Sequence, residues 1–421
     1  MSTLIPKHWD KYRLKDVFEL RNGYTPSKNN PEFWDGGKIP WFRMEDIRKN
    51  GRILSDSIQH ISEKAIKGYG LFKANSFILA TTATIGEHAW LIADSLANQR
   101  FTNLKIRKSL VKEVQPKFLF YYFFIIDKYC HAITRCTTFS SVNMDSLKMF
   151  TMYFPSLAEQ QRIADYFDIK ISEIDRQVSL LTSKRDAYLR LKKSIINRAV
   201  TKGLNSDVQM KDSGIEWIGM IPEHWEVKRM KDIFRNWTTG ITPDSKNFQY
   251  FEIDGQKGYT WVTISDFSNK YISKSDVNLS EISIRKFVPS ITRKGSLMFS
   301  FKLSVGKLAF ATKDLYTNEA IVSIPPTDSQ HLDYYYYILP MLLVDNATEN
   351  IYGAKMLNQK KIANMLMVIP PLSEQQAIAA YLDEKCSKID AIVANLDKQI
   401  SKYAELKRSL IDEVITGKRV V

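Results

Sequence analysis

The sequence predicts a mixed α/β (α+β) chain built from two copies of one unit, each a globular segment followed by a long helix, with the two helices paired antiparallel as a coiled coil. Three observations predict it. The stretch PSLAEQQRIADYFDIKISEID from Pro155 returns as PPLSEQQAIAAYLDEKCSKID from Pro370. The segments ahead of these stretches repeat as well, and both stretches carry apolar residues on alternating steps of three and four. The expected division is 1–154 globular, 155–203 helix, 204–369 globular and 370–421 helix, related by an internal pseudo-twofold.

The first globular segment opens with IPKHWDKYRLKDVF from Ile5, and the second with IPEHWEVKRMKDIF from Ile221. One inserted residue then aligns Gly23, Thr25 and Pro26 with Gly240, Thr242 and Pro243. Trp41 and Asp46 match Trp261 and Asp266, Ser76 and Gly86 match Ser296 and Gly306, and Asn98 matches Asn318. Within each copy, β-rich runs bounded by Gly, Asn and Pro predict strands: SFILATT from Ser76, NLKIR from Asn103, SLMFSF from Ser296 and AIVSI from Ala320. Apolar helices follow, PKFLFYYFFIIDKY from Pro116 and LDYYYYILPMLL from Leu332. A buried tryptophan anchoring each domain start explains the recurring His8-Trp9 and His224-Trp225.

The long helices give the clearest local signal. In the first, Phe167, Ile171, Ile174, Val178, Leu181, Tyr188 and Ile195 form a seam broken by Arg185 and Lys192. In the second, Leu382, Cys386, Ile389, Val393, Leu396, Ile400, Tyr403, Leu410 and Val414 continue the register, with Lys407 the break. A stripe held over more than four heptads predicts a coiled coil. Ser156 with Glu159, and Ser373 with Gln376, fit capping boxes, and the glycines of TKG and TGK mark the ends. About 35 seam-bearing residues at about 1.5 Å each make a rod of about 50 Å. A globular segment connects the two, so antiparallel pairing is expected, with one globular head at each end.

Lys and Arg number 60 against 46 Asp and Glu, a formal net charge of +14. The excess is uneven: 23 basic against 14 acidic residues in 1–154, but 19 against 18 in 204–369. A DNA-binding role would therefore place more salt-dependent phosphate contact in the first half. No apolar run is long enough to cross a bilayer, and a cytoplasmic protein is expected. Three cysteines suit a reducing compartment. Cys130, His131 and Cys136 offer no CxxC pair and no fourth ligand, so they read as buried or idle side chains rather than a metal site.

Catalytic motifs are missing. There is no G-x-x-x-x-G-K-[ST] phosphate loop, no G-x-G-x-x-G turn, and no Asn or Asp before a Pro-Pro-aromatic run. DIK at Asp168 and ELK at Glu405 imitate part of a nuclease metal site, but fall inside the predicted coiled coil and read as solvated helix faces. The chain is expected to have no catalytic or metal-ligating residues of its own.

Two globular segments, each followed by a helix opening P-[SP]-L-[AS]-E-Q-Q-x-I-A, resemble the specificity subunit of type I restriction-modification systems over essentially the whole chain. GYTPSKNNPEFWDGGKIPWF from Gly23 and TTATIG from Thr81 support the resemblance; the second copy departs there, with GITPDSKNFQYFEIDGQKGYTW and SFKLSVG. The resemblance implies two target recognition domains, each reading one half of a split, asymmetric double-stranded DNA target. It implies paired helices that fix the spacer and dock two modification subunits, which bind S-adenosylmethionine and methylate adenine. Restriction subunits using ATP and Mg would cleave.

Base reading needs forked donors and amides in loops. The first copy offers Arg21, Thr25, Lys28, Arg43, Thr81, Thr82, Thr84, Asn98, Gln99, Arg100, Ser140 and Asn143. The second offers Thr239, Thr242, Lys246, Thr263, Ser265, Lys302, Ser304, Asn318, Lys355 and Asn358. Arg43, Asn98-Gln99-Arg100 and Lys302 rank first, since they adjoin predicted strand ends. Two rival readings are a self-contained DNA adenine methyltransferase with its own recognition domains and a structural coiled-coil scaffold.

Overall fold

A computed structural model describes residues 5–135, 140–252, 257–302, 304–349 and 355–421. The chain divides into two compact units, Met1–Thr182 with Asp397–Val421, and Ser183–Leu396. Each contains one globular lobe and part of both long helices.

In the first lobe a five-stranded sheet runs in the order Phe18–Asn22, Phe101–Ile106, Ser76–Ala80, His88–Leu91, Ile53–Leu54. Its pairs are antiparallel until the last, which is parallel. The second lobe repeats the order and the final parallel pair with Thr238–Thr239, Ile321–Ile324, Leu297–Ser300, Leu308–Ala311 and Tyr271–Ile272. All five residues of SFILA are buried, the pattern of a strand covered on both faces. One face carries the apolar helix, Pro116–Ala132 or Leu332–Asn346. Phe77 stacks on Phe123 at 4.6 Å, and Phe310 on Tyr336 at 5.7 Å. A smaller sheet holds Trp41 in the first lobe (His60–Ile61, Ile39–Phe42, Leu96–Ala97) and Trp261 in the second.

The long helices span Leu157–Lys202 and Leu372–Ile415. In the first unit Phe167, Ile171 and Ile174 share one core with Leu410, Ile411, Val414 and Ile415, and Lys407 Nζ reaches both Asp175 oxygens at 2.8 Å. In the second unit Ala199 and Val200 share a core with Ile378, Leu382 and Cys386, and Lys192 Nζ reaches Asp390 at 2.6 Å. Low numbers on one helix oppose high numbers on the other, so the pairing is antiparallel. The lysines that break the seam are the residues that bridge it. The two bridges correspond under the repeat, Asp175 matching Asp390 and Lys192 matching Lys407.

The seam is not only a coiled coil. Phe167, Ile171, Ile174, Leu410 and Val414 also belong to the first lobe's core, and Leu382 to the second's, because a stripe of period 3.5 states that a face is apolar without naming what covers it. Ile389 and Leu396 are buried. Val178, Leu181, Tyr188, Ile195, Val393, Ile400 and Tyr403 are half-buried, as a two-helix seam flanked by solvent leaves them.

The helix openings follow one plan. Glu159 accepts from Trp9 Nε1 and lies 3.3 Å from His8, while Glu374 accepts from Trp225 Nε1 at 3.0 Å and pairs with His224 at 2.6 Å. Gln160, 1% exposed, accepts from Gln115 N at 2.9 Å and donates to Glu113 and Pro155 carbonyls. Gln375, equally buried, accepts from His331 N and donates to Pro370 O and Gln330. The E-Q-Q motif thus fastens each helix to its lobe.

This plan corrects three sequence expectations. Ser156 caps the first helix through Glu159 N at 3.4 Å, but the Glu159 carboxylate is taken by Trp9, so the box is half made. Ser373 lies inside its helix, which already begins at Leu372, and Pro371 occupies the capping place, its carbonyl accepting from Gln375 N at 2.9 Å. Asp168 is a partly solvated position that also has partners: it accepts from Lys117 and from Tyr121 OH at 2.9 Å, as Asp383 accepts from Lys270 at 2.7 Å and Tyr337 at 2.5 Å. Burial pulls the Lys270 pKa down, but Asp383 and Asp333 outweigh it and leave it raised. At the far ends Gly203 and Gly417 adopt φ of +72°. A Cβ on Gly417 would lie 2.3 Å from Pro6, so the chain turns out of the helix only with glycine there.

Candidate nucleic-acid interface

In the first lobe, backbone bonds gather the candidate loops at one corner. Gly23 N donates to Phe101 O, Tyr24 N to Ala97 O, Asn98 N to Phe42 O, Thr81 N to Arg100 O, and Val142 N to Thr81 O, all between 2.8 and 3.1 Å. Trp41 Nε1 ties the corner to Tyr24 O at 3.0 Å. The second lobe builds the same corner: Ile241 N to Thr317 O, Asn318 N to Val262 O, Phe301 N to Ala320 O, Leu357 N to Phe301 O, and Trp261 Nε1 to Ile241 O. A Cβ on Gly23 would sit 2.3 Å from Ala97 O, and one on Gly240 1.7 Å from Thr317 O. Only glycine lets those loops approach so closely.

These bonds fix which residues correspond. Arg43 matches Thr263, since each donates its N–H to the aspartate three residues on, at 2.6 and 2.7 Å. Asn98 matches Asn318; each side-chain oxygen accepts from the N–H two residues later at 3.1 Å, an Asx-turn. Gln99 therefore corresponds to Glu319, and Arg100 to Ala320. Thr25 donates its hydroxyl to Gln99 Oε1, and Thr242 donates to Glu319 Oε2. Asn143 and Asn358 cap the short helices that follow.

The candidates thus separate. Asn98, Asn318, Asn143 and Asn358 spend side-chain oxygens on turns and caps. Thr81 is 8% exposed and its hydroxyl meets Thr102 at 3.2 Å, so it faces inward. Thr82 and Thr84 are half-buried, and Thr84 Oγ1 has no partner among the described residues. Arg43 holds Glu45 at 2.6 Å and lies 5.9 Å from the Trp41 ring. Arg21 donates to Tyr69 O and lies 4.5 Å from the Phe72 ring. Thr263 bonds Ser265 at 2.7 Å, and Thr239 accepts from Gln359 at 3.2 Å. Lys302 lies 5.5 Å from the Phe301 ring. Lys28, Gln99, Arg100, Ser140, Lys246, Ser265, Ser304 and Lys355 are exposed.

Sequence reasoning passed over Glu319 and Ala320, although the Asn98–Asn318 match already set them opposite Gln99 and Arg100. Among the described residues, no group of three or more His, Cys, Asp or Glu side chains is placed to hold a metal ion. Cys136 lies outside the described residues. Burial pushes the Cys130 thiol up to about 12. No helix of the described residues is long and apolar enough to cross a membrane.

The repeated lobes, with matched corners carrying unlike side chains, define a duplicated recognition protein. A family model described as the type I restriction modification DNA specificity domain matches residues 6–180 and 222–402. The type I restriction enzyme EcoprrI specificity subunit of Escherichia coli is 50% identical over 162 residues, which span 37% of this chain and 40% of that protein. The MjaIX specificity subunit of Methanocaldococcus jannaschii is 27% identical over 426 residues, covering 98% of this chain and 94% of its own. Among solved structures, a chain from a type I R-M system superposes with a TM-score of 0.73 at 16% identity, covering 98% of both chains. The HsdS subunit from Thermoanaerobacter tengcongensis gives 0.51 at 17% identity, covering 99% of this chain and 98% of that one. The chain belongs to the type I restriction-modification specificity family, whose members act as DNA specificity subunits.

Proposed function

We propose that this chain reads a bipartite, asymmetric double-stranded DNA target, one half-site per lobe, and presents it to partner subunits for adenine methylation and for cleavage. The carrying observation is the pair of corners: one backbone scaffold, made twice, holding different exposed side chains. Two unlike heads on one chain suit two unlike half-sites. The partners in this reading are two modification subunits, which supply S-adenosylmethionine, and restriction subunits that use ATP and Mg. The chain's own residues bind and orient DNA and carry no bond-breaking step. The paired helices set the length of the unread spacer.

The test is to express the chain with its modification partner and map methylated adenines by single-molecule sequencing. A split motif methylated on both strands is expected; methylation without sequence preference would overturn the reading. A seven-residue insertion after Thr182 and another after Leu396 would lengthen each helix by about 10 Å at about 1.5 Å per residue. The spacer should grow while both half-sites stay unchanged. Altered half-site bases at the old spacing would refute the ruler.

A further inference from the structure

The two corners differ at the turn after the shared asparagine. In the first lobe Gln99 and Arg100 are exposed there, and in the second Glu319 is exposed beside the buried Ala320. The backbone of both turns is pinned alike, by the Asx bond, by Asn98 N to Phe42 O or Asn318 N to Val262 O, and by Thr81 N to Arg100 O or Phe301 N to Ala320 O. One threonine hydroxyl also holds the middle side chain in each. Thr25 donates to Gln99 Oε1, which leaves the Gln99 amide N–H₂ as the free group. Thr242 donates to Glu319 Oε2, which leaves the other carboxylate oxygen free. The same hydroxyl therefore presents a donor in one lobe and an acceptor in the other.

We propose that these turns are equivalent base-reading elements of opposite polarity: Gln99 with Arg100 takes a base edge rich in acceptors, a guanine, and Glu319 takes an edge that offers an amino group, a cytosine or an adenine. The proposal rests on the function above and deepens it. Guanine presents O6 and N7 to the major groove, and an arginine fork matches both; cytosine N4 and adenine N6 are donors that a carboxylate accepts. The Arg100 side chain has no hydrogen-bond or ion-pair partner among the described residues, so its five donors are uncommitted. Glu319 argues most strongly. In the proposed reading a carboxylate at this corner is repelled by phosphates, and a base amino group it can accept from is what offsets that repulsion. The excess basic charge of the first copy and the near balance of the second run the same way.

The experiment transplants one turn into the other. Gln99→Glu with Arg100→Ala is made in the full chain, expressed with the modification subunit, and scored by sequencing methylated adenines; Arg100→Lys and Glu319→Gln serve as milder variants. The double variant should exchange one base of one half-site, replacing a guanine, and leave the other half-site and the spacer intact. Arg100→Lys should lower discrimination at that same base about tenfold to about a hundredfold. Glu319→Gln should relax one position in the opposite half-site. Unchanged motifs would overturn the proposal, as would an even loss of methylation across all sequences, which marks a phosphate contact. If the unsubstituted chain directs no sequence-specific methylation, the general function fails instead, and the two failures are distinct.

Discussion

Replacing Gln160 with leucine should loosen the first lobe's attachment to its helix, and the cost can be worked from three hydrogen bonds. Leucine nearly matches the volume, so no large cavity opens. The N–H of Gln115 loses its acceptor, and the carbonyls of Glu113 and Pro155 lose their donor. A stranded buried donor costs about 1–3 kcal/mol, and a carbonyl, with two lone pairs, less. About 2 kcal/mol for the amide and about 0.5 for each carbonyl give about 3 kcal/mol, or a hundredfold or more in a local opening equilibrium at about 1.4 kcal/mol per tenfold. Hydrogen exchange across residues 113–120 of the native chain reads that opening. The control is next door: Gln161 is only half-buried and bonds Asp165 within its own helix at 2.9 Å, so Gln161→Ala should leave exchange at 113–120 unchanged. Parental exchange rates in Gln160→Leu would refute the clamp. Gln375→Leu should do the same to residues 329–335 of the second lobe.

His88 is fully buried between Arg52 and the ring of Phe124, and burial first, then Arg52, lowers its pKa to about 3. The unfolded chain binds a proton near pH 6.5 while the native chain refuses it, so stability is complete above about pH 6.5 and is lost as pH falls toward 3, by up to about 1.4 kcal/mol per unit. Urea midpoints of the parent and His88→Gln at pH 7, 6 and 5 should converge as pH falls; a constant gap would contradict this. The Lys407–Asp175 bridge is partly exposed, so a double-mutant cycle of Lys407→Met and Asp175→Asn should give a coupling of about 0.2–1 kcal/mol that fades in about 1 M salt. No coupling at low salt would remove the bridge from the helix pairing.

The strands and helices were legible because their apolar periods differ and because everything was stated twice. Ser76, Asn103, Leu297 and Ile321 fall in strands, and Pro116 and Leu332 begin their helices. Trp9 and Trp225, anchors in the sequence reading, are buried against the helix ends. What escaped was partnership. Phe167 and Leu410 declare a buried face, yet nothing in their spacing says that a lobe shares it. Asp168 sits on a helix rich in charged residues, and only the fold brings Tyr121 and Lys117 to it. Thr81, at the end of the predicted strand SFILATT, is a base-reading candidate by residue type, but its hydroxyl turns inward to Thr102.

The repeat itself separates support from reading. Where both copies kept a side chain, the structure finds it holding backbone or aiming a neighbour: Glu159 and Glu374 on tryptophan, Gln160 and Gln375 on the entry loops, Asn98 and Asn318 closing turns, Thr25 and Thr242 aiming the next residue. Where the copies parted at this turn, Gln99, Arg100 and Glu319 are exposed and their side chains bond no backbone, while Ala320, buried, stands where Arg100 has its fork. Two copies within one chain experience the same folding demands, so a difference at a position with identical backbone bonds is not demanded by the scaffold. In the proposed reading it answers to what each lobe meets. On the proposal that the two heads read different sequences, that is the arrangement in which one specificity can change while the fold, the helices and the other head remain as they were.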